Sequence, residues 1–317
     1  MTPPAQPAGP GPAGLFAGLC TLDIIQLVSK LPGPDEKITA RRQTVAAGGP
    51  AANAAVTFAA LGGRAVLVTA AGAHPLADGI RADLAAAGVR LVDAAAGDPA
   101  SPPVSSVFVT KGGPGRAVVS LNAAGRTAAP PAELAALAAA AGIVLVDAHH
   151  RDLALAAARA ARQAGVPSVV DGGSWRDGTQ ELLSLVDAAI CSADFRPPGG
   201  SGPGPVLGYL LGCGVRWAAV TSGAGPIRWA GPDGLHGEVP AVAVPVADTV
   251  AAGDVFHGAM AYHLAAAARD GPAQITRARW QAALESAAAV AARSCRFFGT
   301  REWLAGWPPP TGVPFPP

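Results

Sequence analysis

The sequence predicts an α/β fold: a mostly parallel central sheet flanked by helices, with a small β-sheet lid projecting from it. Apolar strand-like runs alternate with Ala-rich helical segments along most of the 317 residues, the pattern of βαβ units whose sheet is covered on both faces. Two segments, 24–45 and 101–122, break that alternation and read as lid. A chain of this length can bury one large core.

Taken in order, residues 1–13 form a Pro/Gly-rich tail without the basic and apolar regions of a leader. GPGPAG spells GxGxxG there, but it precedes the first strand, so the context of a dinucleotide-binding turn is missing. LFAGLCTLDII reads as the first strand, with Asp23 at its C-terminal end, the edge where open α/β sheets bind ligands. LPGPDEKITARRQTV follows with no helical period. The double glycine of GGPAANAAVTFAALGG opens a helix, and AVLVTAAG and LADGIRADLAAAG supply the next strand and helix. PPVSSVFVTKGGPGRAVVSLN has alternating flanks around a Gly/Pro-rich centre and predicts a hairpin about residues 111–115. IVLVDA, LALAAARAARQAG, PSVVDGG and WAAVTSG continue the alternation. PAVAVPV (240–246) predicts a strand and VFHGAMAYHLAAAA (255–268) a helix, before a Pro-rich tail at 308–317. The core is thus 14–23, 46–100 and 123–307, with 24–45 and 101–122 as lid.

Composition narrows the partners. Lys+Arg 23 against Asp+Glu 22 leaves a net charge of +1, which excludes a nucleic-acid footprint or a polybasic membrane patch. Mean hydropathy is +0.32, yet no run of about 18 strongly apolar residues occurs. A soluble, cytoplasmic protein acting on small molecules is the expectation. Cys20, Cys191, Cys213 and Cys295 form no CxxC pair, as expected for thiols in a reducing compartment. The 6 histidines lack metal-ligand spacing and read as surface or helix-packing residues.

Chemistry concentrates in DTVAAGD, 248–254, between the predicted strand and helix. Free N–H groups and the helix dipole make such a terminus an anion site, and Ala251, Ala252 and Gly253 leave room for a phosphate. Asp254 would repel that phosphate unless it binds a cation or accepts a proton from an attacking hydroxyl; alternatively it caps the helix. No GxxxxGK[ST], HExxH or GxSxG is present, so phosphoryl transfer here would not use a Walker lysine. At the GGPAAN helix start, Gly49 lets backbone approach a polyhydroxylated ligand, and the amide of Asn53 can both donate and accept.

The early strand ending in Asp23, GGPAAN, ALGGRAVLVTAAG, VTSGAG and DTVAAGDVFHGA, in this order, resemble the ribokinase-like (PfkB) family of sugar kinases from Gly14 to about Gly299. The resemblance implies a ribokinase-like three-layer fold and an ATP-dependent carbohydrate kinase. In it Asp254 is the base, Ala251, Ala252 and Gly253 form the anion hole, and Asp23, Gly49 and Asn53 hold the sugar, with Asp35 and Asn122 as further lid contacts. Thr221, Ser222, Gly223 and Gly225 resemble the nucleotide-binding turn, with Cys295 on a late helix flanking the adenine. ATP and Mg2+ are implied, with K+ as an optional further cation, and a homodimer through the lid. The sequence leaves the metal contacts unassigned.

Two departures matter. The usual signature, DTxGAGD, has glycine where this chain has Ala251; if that position needs a positive φ, alanine costs on the order of 1 kcal/mol. Where the family often has Asn-x-x-Glu, residues 191–195 read CSADF, a departure shared with ketohexokinase-like members that tilts the acceptor toward ketohexoses. A nucleoside, another hydroxymethyl compound, or ligand binding with weakened catalysis are the alternatives.

Overall fold

The structure, a computed structural model, describes residues 11–110, 115–176, 178–267 and 275–307. Strands β1 (Ala13–Ala17), β2 (Thr21–Val28) and β3 (Arg42–Gly48) precede helix α1 (Pro50–Ala60), followed by β4 (Arg64–Thr69), α2 (Leu76–Ala86) and β5 (Val89–Asp93). A hairpin of β6 (Val104–Thr110) and β7 (Arg116–Ser120) comes next. The turn expected at its centre lies largely at 111–114, outside the described residues, as do most of both expected tails. Then come α3 (Leu134–Ala139), β8 (Ile143–Asp147), α4 (Arg151–Ala164), β9 (Ser168–Gly172), α5 (Thr179–Leu183), β10 (Ala188–Ser192) and α6 (Pro203–Gly212). Strands β11 (Trp217–Ser222), β12 (Gly225–Ala230) and β13 (His236–Val239) and helices α7 (Ala252–Ala267) and α8 (Arg277–Ser294) complete the order.

The central sheet runs β13-β12-β11-β10-β9-β8-β1-β4-β5 and is parallel from β11 to β5, with β12 and β13 antiparallel at one edge. Its middle strands are apolar on both faces; all five residues of β8, IVLVD, are buried, as a strand sandwiched between helix layers requires. One face packs on α1, α2, α7 and α8, the other on α3 to α6. Local signals set the helix ends. Gly165 stops α4 in the left-handed conformation at φ 67, and the Thr276 side chain accepts from Arg279 N at the start of α8. The second sheet, β3-β2-β6-β7, has antiparallel outer pairs around a parallel β2–β6 pair. Its underside packs Ile25, Val107 and Val109 on Phe298 from the C-terminal segment.

Two expected strands differ. LFAGLCTLDII is split at residues 18–20, so β1 belongs to the central sheet and β2 to the small one. The cause is the Asp147 carboxylate at the end of β8: Leu19 N donates to Oδ2 at 2.9 Å, and a side chain at Gly18 would overlap the carboxylate. Asp23 is therefore the third residue of a lid strand rather than the end of a core strand, and the small sheet takes in Thr21 to Asp23 from the segment read as core. PAVAVPV forms no strand. Pro240 and Pro245 cannot donate to a ladder, and the chain leaves the sheet after Val239 to cross toward α8, where Ala247 N and Asp248 N donate to Cys295 O at 2.8 and 3.2 Å.

Among the described residues no helix is long and apolar enough to cross a membrane.

Candidate active site

The N-termini of α1 and α7 meet where the central strands end, beneath the small sheet. Gly49 caps α1 at φ 91; a Cβ there would stand 2.5 Å from Leu19 O, so the close turn requires glycine. Asp147 ties the start of α1 to the β1–β2 break by also accepting from Ala51 N at 3.3 Å. One turn in, Asn53 is 3% exposed.

The second terminus is built by the signature itself. Asp248 is a strut: Oδ1 accepts from Val250 N and Oδ2 from Gly299 N, both at 2.9 Å. Ala251 takes φ 58, where a Cβ costs on the order of 1–2 kcal/mol relative to the right-handed region. The condition attached to alanine at this position is therefore met. The first intrahelical bond of α7 is Val255 N to Ala251 O at 2.9 Å, so the N–H groups of Gly253 and Asp254 precede the hydrogen-bonded ladder. Nothing would meet a Cβ at Gly253 within 4 Å. Space and free donors together suit an anion.

Asp254 sits on that terminus and accepts from Asn53 Nδ2 at 2.8 Å. Burial, reinforced by the Asp171 carboxylate and by Asp23, pushes its pKa up to about 7, against the Asn53 hydrogen bond and His257, which favour the charged form. A carboxylate titrating near neutrality can take a proton and release it at modest cost, as a general base must. Asp171, at the end of β9, is itself raised by burial, and its Oδ2 lies 3.3 Å from His257 Nδ1. His257 is buried, its Nδ1 2.7 Å from Gly253 O and its Nε2 3.1 Å from Ile190 O.

Asp23 faces Gly48, where a side chain would overlap its carboxylate. The Thr21 hydroxyl donates to Asp23 Oδ1 at 2.5 Å, and burial raises the pKa of the carboxyl. Opposite Asp23 on β6 stands Ser105, whose hydroxyl bonds Ser120 Oγ at 3.1 Å; Ser120 Oγ in turn accepts from Asn122 N at 3.1 Å. A polar row thus runs from Asp23 to Asn122 across the lid. Asp35 lies apart in an exposed left-handed turn (φ 58) between β2 and β3.

Thr221, Ser222, Gly223 and Gly225 form the tight β11–β12 hairpin at the same sheet edge, two strands from Asp171, with Gly223 at φ 58. The Thr221 hydroxyl donates to Cys191 O at 3.5 Å. Cys295 is the C-cap of α8, and its carbonyl braces the chain entering the signature. Among the described residues, no group of three or more His, Cys, Asp or Glu is placed to hold a metal ion.

Sequence reasoning overlooks Asp147, Asp171, Asp83, Arg116 and Arg301. From β7, Arg116 Nη1 donates to Thr249 O and Oγ1 at 2.9 and 3.2 Å, joining the lid to the anion turn.

A family model described as pfkB family carbohydrate kinase matches residues 15–195 and 205–305. Ribokinase from Giardia lamblia is similar in fold, with a TM-score of 0.79 at 18% identity over 93% of this chain and 99% of its own. Arabidopsis thaliana ribokinase complexed with ribose and ATP gives 0.70 at 21% identity, over 91% and 94%. Xylella fastidiosa fructokinase with bound ATP gives 0.69 at 22%, over 91% and 93%.

Proposed function

Because the chain belongs to the PfkB family of carbohydrate kinases, we propose that it transfers the γ-phosphoryl group of ATP to a hydroxyl of a ketohexose-like sugar, with Asp254 as general base. The observation that carries this reading is the Asn53–Asp254 hydrogen bond of 2.8 Å on an anion-binding helix terminus. It joins the residue expected to hold the acceptor to the residue expected to deprotonate it. The acceptor oxygen attacks the γ-phosphorus and forms the new O–P bond. The bond to the β–γ bridging oxygen breaks, ADP leaves, and the hydroxyl proton passes to the Asp254 carboxylate. The N–H groups of Gly253 and Asp254 face the charge on the transferring group, that of Ala252 being engaged by Thr249 O at 3.3 Å, while Asp23, Gly49 and Asn53, with Asn122 at the end of the polar row, orient the sugar. The β11–β12 hairpin and the end of α8 at Cys295 receive the nucleotide. Mg2+ bound with ATP would supply charge neutralisation at the phosphates; among the described residues no group of three or more His, Cys, Asp or Glu is placed to hold it.

The ketohexose preference rests on the CSADF segment at 191–195. In an ADP-release assay with ketohexoses, aldopentoses and nucleosides, run in K+ and in Na+ buffers beside calorimetry of the same ligands, we expect a ketohexose to give the highest kcat/KM. Preference for a nucleoside would replace the acceptor, and binding of ATP and sugar without turnover would reject the kinase reading.

A homodimer is assigned to the small sheet, where Val118, Val119 and Leu121 stand 52%, 70% and 60% exposed on and just beyond its edge strand. Sedimentation should show a dimer that Val119→Lys dissociates; a monomeric wild type at micromolar concentration would remove the assignment.

A further inference from the structure

The amide of Asn53 has two orientations that differ only in which of its ends faces Asp254. With Nδ2 toward Asp254 it donates to the carboxylate at 2.8 Å, and Oδ1 then faces Arg301, accepting from Nη1 at 3.0 Å. Turned over, the amide would set an oxygen against the carboxylate and an NH2 against a guanidinium, two clashes of like polarity. Arg301 therefore selects the productive orientation, provided that Arg301 itself is fixed.

Its contacts fix it. A guanidinium has five N–H donors in a rigid fork, and each has an acceptor here. Nε donates to Asp83 Oδ2 at 3.1 Å; Nη1 donates to Asn53 Oδ1 and Thr300 O, both at 3.0 Å; Nη2 donates to Ala47 O at 2.6 Å and Asp83 Oδ2 at 2.9 Å. Asp83 Oδ2 also accepts from Ala47 N at 3.0 Å, so the ion pair grips both peptide groups of the residue just before Gly48 and Gly49. The next residue, Glu302, pairs with Arg42 at the other end of β3. A guanidinium with every donor engaged by the protein has none left for a substrate.

We propose that Arg301 is a positioning residue, which holds the Asn53 carboxamide with its NH2 toward Asp254 and locks the Gly48–Gly49 turn to α2 and the C-terminal segment. This rests on Asp254 being the base. Besides Asn53, the charged or titratable groups acting on Asp254 are Asp171 from β9, Asp23 from β2 and His257 from α7; substitution of Arg301 leaves all three side chains in place, and the one charge effect it has among them, a lowering of the Asp23 pKa, is kept by a lysine.

Without the guanidinium, the amide is free to turn, and the carboxylate loses a donor that favours its charged form. Arg301→Met should therefore lower kcat by roughly 10- to 100-fold, the scale of a misplaced reacting group. The acid limb of kcat/KM should move to higher pH, and the KM for ATP should stay within about threefold. Arg301→Lys is the decisive companion, since it keeps the charge but not the fork; it should resemble Met. Wild-type kcat and acid limb in Arg301→Lys, or an unmoved acid limb in Arg301→Met, would overturn the proposal. Asp83→Asn/Arg301→Met leaves no unpaired carboxylate and supplies the measurement if Arg301→Met does not fold. The titration midpoint of the Asp254 carboxyl carbon, read by NMR in 13C-aspartate-labelled protein and assigned with Asp254→Asn, should rise in step. It reports on the amide even if no acceptor yields ADP, an outcome that counts against the kinase reading alone.

Discussion

Asp254→Asn is expected to lower kcat by roughly 10²–10⁴-fold, the usual contribution of a positioned general base, while ATP binding and the fold persist. The substitution is nearly isosteric, and the new side chain still offers an oxygen to Asn53 Nδ2, now 2.8 Å away. What disappears is the proton acceptor. In the proposed reaction the acceptor is the ionised carboxylate, whose pKa burial pushes up to about 7. Activity should therefore rise with pH through neutrality and level off above it. Stability runs the other way. A carboxyl with its folded-state pKa above the unfolded value of about 4 contributes most below that value, and the contribution is lost as pH rises through about 7. Asp254→Asn should accordingly match or exceed the wild-type Tm at pH 8. Retention of turnover within a few-fold of wild type would remove Asp254 from its role, and a Tm well below wild type at pH 8 would show that the ionised carboxylate is a structural partner.

The parts of this site legible in the sequence are those carried by short local patterns. A left-handed residue, two free N–H groups and a carboxylate all fall within 248–254, and Gly49 and Asn53 lie within a single helix start. Each depends on backbone conformations that small residues announce. The departure at Ala251 was visible too, and its φ of 58 gives it a definite cost. Residues tied to the site by tertiary contacts left no such trace. Arg301 meets Asn53 across 248 positions and Asp83 across 218, and no spacing rule links an arginine in a C-terminal turn to either. His257 packs its helix, one of the two roles the sequence allows, but its pairing with Asp171 depends on where β9 ends. The two strand differences have separate causes. LFAGLCTLDII reads as one unbroken run, and the Asp147 carboxylate that holds its break is 128 positions from Leu19. PAVAVPV has the right alternation, but its prolines had to be weighed as missing donors rather than as strand ends.

Gly258→Ala should reduce both stability and turnover, because this glycine sets the crossing of the two helices that carry Asn53 and Asp254. It lies one turn beyond Asp254 on α7, buried against α1, where a Cβ would overlap the Ala54 carbonyl oxygen and stand 2.7 Å from Thr57 Cβ. No rotamer relieves a collision with backbone, so the helices must part. Overpacking of this kind costs about 1–3 kcal/mol, against a gain of about 1 kcal/mol from replacing glycine inside a helix. A lower Tm is the expected balance. Ala54 follows Asn53 directly, so a shift at the crossing reaches the 2.8 Å Asn53–Asp254 bond with little attenuation, and displacement of a reacting group by about 1 Å can cost about 100-fold in rate. Gly208→Ala is the matched control. It lies in α6 with nothing within 4 Å of its Cβ, so only the propensity gain applies and Tm should hold or rise with kcat unchanged. If Gly258→Ala lost stability but kept wild-type kcat, base and acceptor would owe their alignment to the turns at Gly49 and Ala251 rather than to the helix crossing.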